Sequence, residues 1–174
     1  MGAMLGRRLL AGAAAGVVGT VAMDLVWYGR YRRGGGGDGV LDWEFASGTL
    51  SFDEASAPGQ VGKLVAETVG VDLPDELAAT TTNAVHWLTG VGYGMAHGLL
   101  ADRSGVAVAG LATGLGAVIN SYATLGTLGI YEPPWAYDAA TLRDDASAHL
   151  VFGLATSVAY RLLRGRRTGP RAHR

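Results

Sequence analysis

At 174 residues the chain has the length of one domain, since domains commonly hold about 100–200 residues. Hydrophobic residues make up 49% of it and charged residues 17%, with a net charge of −1. That balance suits a membrane protein and excludes the basic face that a nucleic-acid partner would need for phosphate contacts. There is no cysteine, so a disulfide framework, a thiolate metal site and a cysteine nucleophile are all excluded.

The apolar content is mainly Ala, Gly and Val. Such residues let helices approach closely but weaken the hydropathy of each span. The first apolar run, Leu9 to Tyr28, follows Arg7 and Arg8 in the manner of a signal peptide. It has the length of about 20 residues that crosses a bilayer. It also ends in Trp27, Tyr28, Arg30, Arg32 and Arg33, an aromatic and basic boundary that predicts a retained helix rather than a cleaved leader.

A polar loop follows, opening with Gly34 to Gly37 as a hinge and carrying Trp43, Phe45 and Phe52 among acidic residues. The stripe Val61, Leu64, Val65, Thr68 and Val69 predicts a short amphipathic helix in this first outer loop, over Gln60 to Val69. Either it packs on the end of the bundle or it lies in the lipid interface. The former is favoured, because Lys63 alone offers lipid a basic contact.

The second span is expected over about Asn83 to Ala101, with its helix beginning at Pro74 ahead of Asp75 and Glu76. The third covers about Val106 to Ile130 and the fourth about Ser147 to Leu163. Between them Pro133 and Pro134, beside Trp135 and Tyr137, make a stiff aromatic turn suited to the membrane boundary. The expected fold is an all-α bundle of four transmembrane helices over residues 1–164, with a basic disordered tail at 165–174.

Four spans put both termini on one side. That side carries Arg7, Arg8, Arg103, Arg161, Arg164, Arg166, Arg167, Arg171 and Arg174. The other carries Arg30, Arg32, Arg33, Lys63, Arg143 and nearly all the acidic residues. The positive-inside rule then makes both termini cytoplasmic in a bacterial inner membrane. Gly12 and Gly16, then Gly90, Gly94 and Gly98, then Gly110 and Gly114 recur four apart. Such ridges bring helix backbones together within the bundle, or across a dimer interface.

Ionisable groups inside hydrocarbon are costly and mark candidate sites. Counting along each helix at about 1.5 Å per residue brings Asp24, His86 and His149 to one layer, roughly 6–8 Å below the outer boundary. Asn120 lies slightly deeper, and His97 falls near the opposite side. Asp145, four residues before His149, shares its helix face and could orient it. The layer has three readings. It fixes helix register, it passes protons or a small solute, or Asp24, His86 and His149 ligate a divalent metal. A haem held between His86 or His97 and His149 is disfavoured, because nothing else in the chain points to haem. The glycine run lacks the Gly-Lys-Ser/Thr ending of a phosphate loop, and neither a Gly-x-Ser-x-Gly elbow nor a His-Glu-x-x-His pair occurs.

The segments AGAAAGVVGTVAMDLVWYGRYRR, HWLTGVGYGMAHG and DDASAHLVFGLATSVAYRLL resemble the small bacterial membrane proteins of the YagU-like kind. The resemblance implies an inner-membrane protein with a link to acid tolerance. The expected function is therefore a non-enzymatic accessory or stress-related membrane protein. A proton or small-solute transporter or channel, and a metal-binding membrane subunit or enzyme, are the alternatives. Its partners are the lipid bilayer and either a second copy or another membrane protein.

Overall fold

The computed structural model describes residues 2–45, 48–101 and 104–164, and every regular element within them is helical. The order is α1 (Gly2–Arg33), α2 (Val40–Glu44), α3 (Ala57–Thr68), α4 (Ala78–Leu100), α5 (Val106–Thr127) and α6 (Ala139–Arg164). Short 3-10 turns precede α4 at Asp75–Leu77 and α6 at Pro134–Ala136. The basic tail at 165–174 lies outside the described residues.

The helices do not begin and end where the apolar segments do. α1 continues through Arg30, Arg32 and Arg33, cations that suit the negative end of a helix dipole. It closes at Gly35, which takes φ 94°, while Gly36 N–H donates to the Tyr31 carbonyl at 3.0 Å. The glycine run thus terminates a helix where the sequence suggested a hinge. α5 ends three residues before Ile130 in the same way, with Gly129 at φ 72° and the Ile130 N–H on the Leu125 carbonyl. α6 starts eight residues ahead of Ser147, because Asp138 accepts from the Thr141 N–H at 2.7 Å and caps it there. α4 starts at Ala78 and not at Pro74; the Asp75 carboxylate is engaged by the Phe52 N–H at 3.0 Å.

The main helix pairs, α1 with α4, α1 with α6 and α5 with α6, pack antiparallel. Gly12 meets Gly94 and Gly16 meets Gly90, so a Cβ at Gly12, Gly16 or Gly94 would overlap the facing backbone, and one at Gly90 would overlap the Thr20 side chain. Gly98 lies against the Arg8 carbonyl, and Gly110 and Gly114 lie against Gly153, Leu154, His149 and Leu150 of α6. α1 is thereby sandwiched between α4 and α6, and α5 packs on the far side of α6. α4 and α5 scarcely touch. The seam is tightest at the basic end, where Ala15, Ala101, Ala109, Ala159 and Tyr160 form the core. There Arg8 donates to the last carbonyls of α4, Gly98 (3.1 Å) and Leu99 (2.8 Å), and Tyr160 donates to Gly98 at 2.8 Å.

The interior is made of small and hydroxylated residues. Tyr160, Thr20, Thr156 and Ser157 are its largest fully buried side chains, while Leu10, Leu25, Leu88, Val108, Ile119 and Leu162 face outward. In water that distribution would leave a broad apolar surface uncovered; in lipid it is the expected one. Among the described residues three helices are long and apolar enough to cross a membrane: α1, α5 and α6. α4, expected as a span, has a weaker apolar run, diluted by Thr80, Thr81, Thr82, Asn83 and His86.

α3 packs on the first turns of α4 through its glycines. Gly59 faces Thr82, and Gly62 faces Thr81 and Val85. Val65, Thr68 and Val69, three of the five residues of the predicted stripe, are exposed. Absent side chains at two glycines, rather than the valine stripe, decide which face meets the bundle.

Candidate functional site

Because α4 and α5 diverge, a cavity of about 800 Å³ opens between α1, α4, α5 and α6. Its walls carry Thr20, Asp24, Thr89, Ala117, Asn120 and His149, and the loop after α1 reaches over its mouth. Tyr93 and Phe152 meet edge to face across its floor, with ring centroids 6.3 Å apart. The close-packed basic end, where His97 bonds Thr113 at 2.7 Å, lies beyond that floor.

Asp24 is the buried acid of this wall, 7% exposed. His86 Nε2 on α4 lies 3.0 and 3.2 Å from its two carboxylate oxygens. The pairing continues the Gly12–Gly98, Gly16–Gly94 and Thr20–Gly90 contacts, whose antiparallel step of four residues carries position 24 to 86 on the neighbouring helix. Gly19 against Phe152 and Thr156, and Arg30 bonded to the Asp144 carbonyl and the Ser147 hydroxyl, bring His149 to the same level on α6.

Sharing a level does not make contact. His149 Nδ1 donates to the Asp145 carbonyl on its own helix at 2.9 Å, with the Asp145 carboxylate 3.8 Å away. Asn120 donates to the Tyr93 hydroxyl at 2.8 Å, tying α5 to α4. Asp145 lines the main cavity and also a second, smaller one beside Trp27, Tyr122, Tyr131 and Tyr137. The third group beside Asp24 and His86 is instead Glu44, and one donor atom from each of the three lies within 4.8 Å of the others.

Glu44 comes from the outer loop, where the sequence offers no depth count. It is delivered by aromatic packing: Trp43 sits 5.5 Å from Tyr28 and 6.2 Å from Tyr31 between ring centroids, folding α2 back over the end of α1. Tyr28 donates to the Asp38 carbonyl at 3.1 Å and Tyr31 bonds the Asp38 carboxylate, which fixes the return. The signal for this was Trp43 beside Glu44, since an indole in a polar loop needs an apolar surface to cover. Glu44 Oε1 is buried with no hydrogen-bond partner. Burial, and then the neighbouring Asp24 carboxylate, push the Glu44 carboxyl above its ordinary value.

Two carboxylates and an imidazole thus converge where water is limited and a cation is wanted. The arrangement can share a proton or hold a metal ion; it contains no nucleophile–base pair. Fold and site together define a helical bundle with three helices long and apolar enough to cross a membrane and a polar cavity at its acidic end. No protein-family model, curated protein or solved structure matches the chain.

Proposed function

We propose that this is a four-span inner-membrane protein of the YagU-like kind that takes a small cationic solute or protons into its cavity from the outer side, as a transporter or channel and not as an enzyme. The observation that carries the reading is the cavity itself: about 800 Å³, lined by residues of α1, α4, α5 and α6 and of the loop after α1, with the Asp24–His86 pair in its wall. α4 is the fourth span in this reading. It is 23 residues long, has no Asp, Glu, Lys or Arg, and lies beside α1 from Gly98 to His86. A helix paired along a spanning neighbour occupies the same depth. Arg7 and Arg8 near the start of α1, with Arg161 and Arg164 at the end of α6, support a reading with both termini in the cytoplasm and the cavity mouth outside.

Reconstituted liposomes test it. A pH-sensitive dye or a fluorescent chelator of divalent cations inside the vesicles should report saturable entry that is lost in Asp24→Asn. No flux of either kind from folded protein would return the chain to an accessory role, with the polar layer serving helix register.

A further inference from the structure

From the convergence of Asp24, Glu44 and His86, we propose that these three side chains bind one divalent transition-metal ion of the zinc class, and that the ion fastens α2 to the bundle. The inference rests on the cavity reading for its route of entry.

The donor set is one imidazole nitrogen and two carboxylates, a combination that suits zinc and related borderline ions. Bond lengths of 2.0–2.2 Å hold tetrahedral ligand atoms roughly 3.3 Å apart. The His86 nitrogen already stands 3.0 and 3.2 Å from the Asp24 oxygens, near that separation, and the Glu44 donor, within 4.8 Å, closes by up to about 1.5 Å to join them. Glu44 supplies the second, independent observation. Its carboxyl meets the Trp87 indole and the Asp24 carboxylate, yet its buried Oε1 has no hydrogen-bond partner and the three groups have donor atoms within 4.8 Å of one another. A buried carboxylate oxygen without a donor is costly, and a metal ion is the partner it lacks. With three protein ligands a fourth position stays open toward the cavity.

The ion also has a mechanical consequence. Asp24 and His86 sit on long helices, whereas Glu44 ends a five-residue helix in the loop across the mouth. Metal binding therefore couples that loop to α1 and α4.

The test is zinc alone, titrated into detergent-purified full-length protein that has first been stripped with a chelator. One equivalent should bind. Glu44→Gln and His86→Ala should each weaken it at least about tenfold, the loss that even an outer-shell partner typically causes. His149→Ala should leave it unchanged. Glu44→Gln is close to isosteric and lies outside the long helices, so it keeps the test decisive if His86→Ala fails to fold. No zinc binding by folded wild type, or full binding by folded Glu44→Gln, would overturn the site. The cavity is read separately: a single cysteine at Thr89 should react with externally added maleimide whether or not zinc binds. Labelling without zinc binding sinks the metal site and spares the cavity. Zinc binding without labelling supports the site and removes the cavity reading.

Discussion

His86 Nε2 donates to the Asp24 carboxylate across the α1–α4 seam, at 3.0 and 3.2 Å from its two oxygens. The Asp24 side chain is 9% exposed and that of His86 27%, so the pair is shielded but not dry. Removing either partner strands the other. Asp24→Ala or His86→Ala should destabilise the protein by roughly 1.5–3 kcal/mol, the range for a hydrogen bond to a charged group. The double variant should cost much less than the sum of the two. Thermal unfolding in detergent reads both; additive losses would mean that the contact does not form.

Glycines at the seams and glycines on the outside should respond oppositely. A Cβ at Gly94 would meet the backbone of Gly12 and Gly16, whereas one at Gly92 would meet nothing. Gly94→Ala should cost about 1–3 kcal/mol through overpacking. Gly92→Ala should be neutral or stabilise by up to about 1 kcal/mol through helix propensity. Equal effects at the two positions would refute this helix pairing.

Glu44 carries a testable sign. Its carboxyl is raised above the ordinary 4.5 by burial and by Asp24. A raised acid contributes stability in its neutral form, fully present below the ordinary value and lost as pH climbs through the folded one. Metal-free Glu44→Gln should therefore be at least as stable as wild type at neutral pH and lose its advantage in acid. Thermal midpoints across a pH series measure this, and a destabilised Glu44→Gln at neutral pH would contradict the buried environment.

Tyr131 should be among the late-titrating tyrosines. Burial first, then the Asp145 carboxylate and Tyr137, push its phenol up to about 12. It packs 5.4 Å from Tyr122 and 6.3 Å from Tyr137 between ring centroids. Its neutral form stabilises the fold below the ordinary value near 10, and that contribution disappears as pH rises toward 12. Ultraviolet titration of Tyr131→Phe should lose amplitude at the alkaline end; loss near pH 10 would place Tyr131 in water.

Because the chain has no cysteine, the crossing of α4 can be probed with single ones. Gly37 and Gly105, on either side of it, both have open space at the Cβ position. Gly37→Cys should react with an impermeant maleimide from outside the cell and Gly105→Cys only after lysis. Labelling of both from the same side would remove α4 from the membrane.

Much of this architecture was legible in residue order, because hydropathy and small-residue spacing act locally. The apolar runs located the long helices, with ends displaced by caps at Gly35, Gly129 and Asp138 whose hydrogen bonds outrank hydropathy. The count of residues along each helix put Asp24 and His86 at one level, where the Gly16–Gly94 and Thr20–Gly90 contacts hold them. Depth along a helix is a count of residues, so sequence reaches it. Direction around the axis and the path of a loop are different, since both depend on what packs alongside. Hence His149, at the right level, bonds to its own helix through Asp145. Glu44, which has no depth to count, arrives because Trp43 must cover itself on Tyr28 and Tyr31. Sequence by itself determined which long helices form and how α1 and α4 slide against one another. Only the tertiary structure decided which third side chain completes the Asp24–His86 pair, because that choice is made by packing between distant segments.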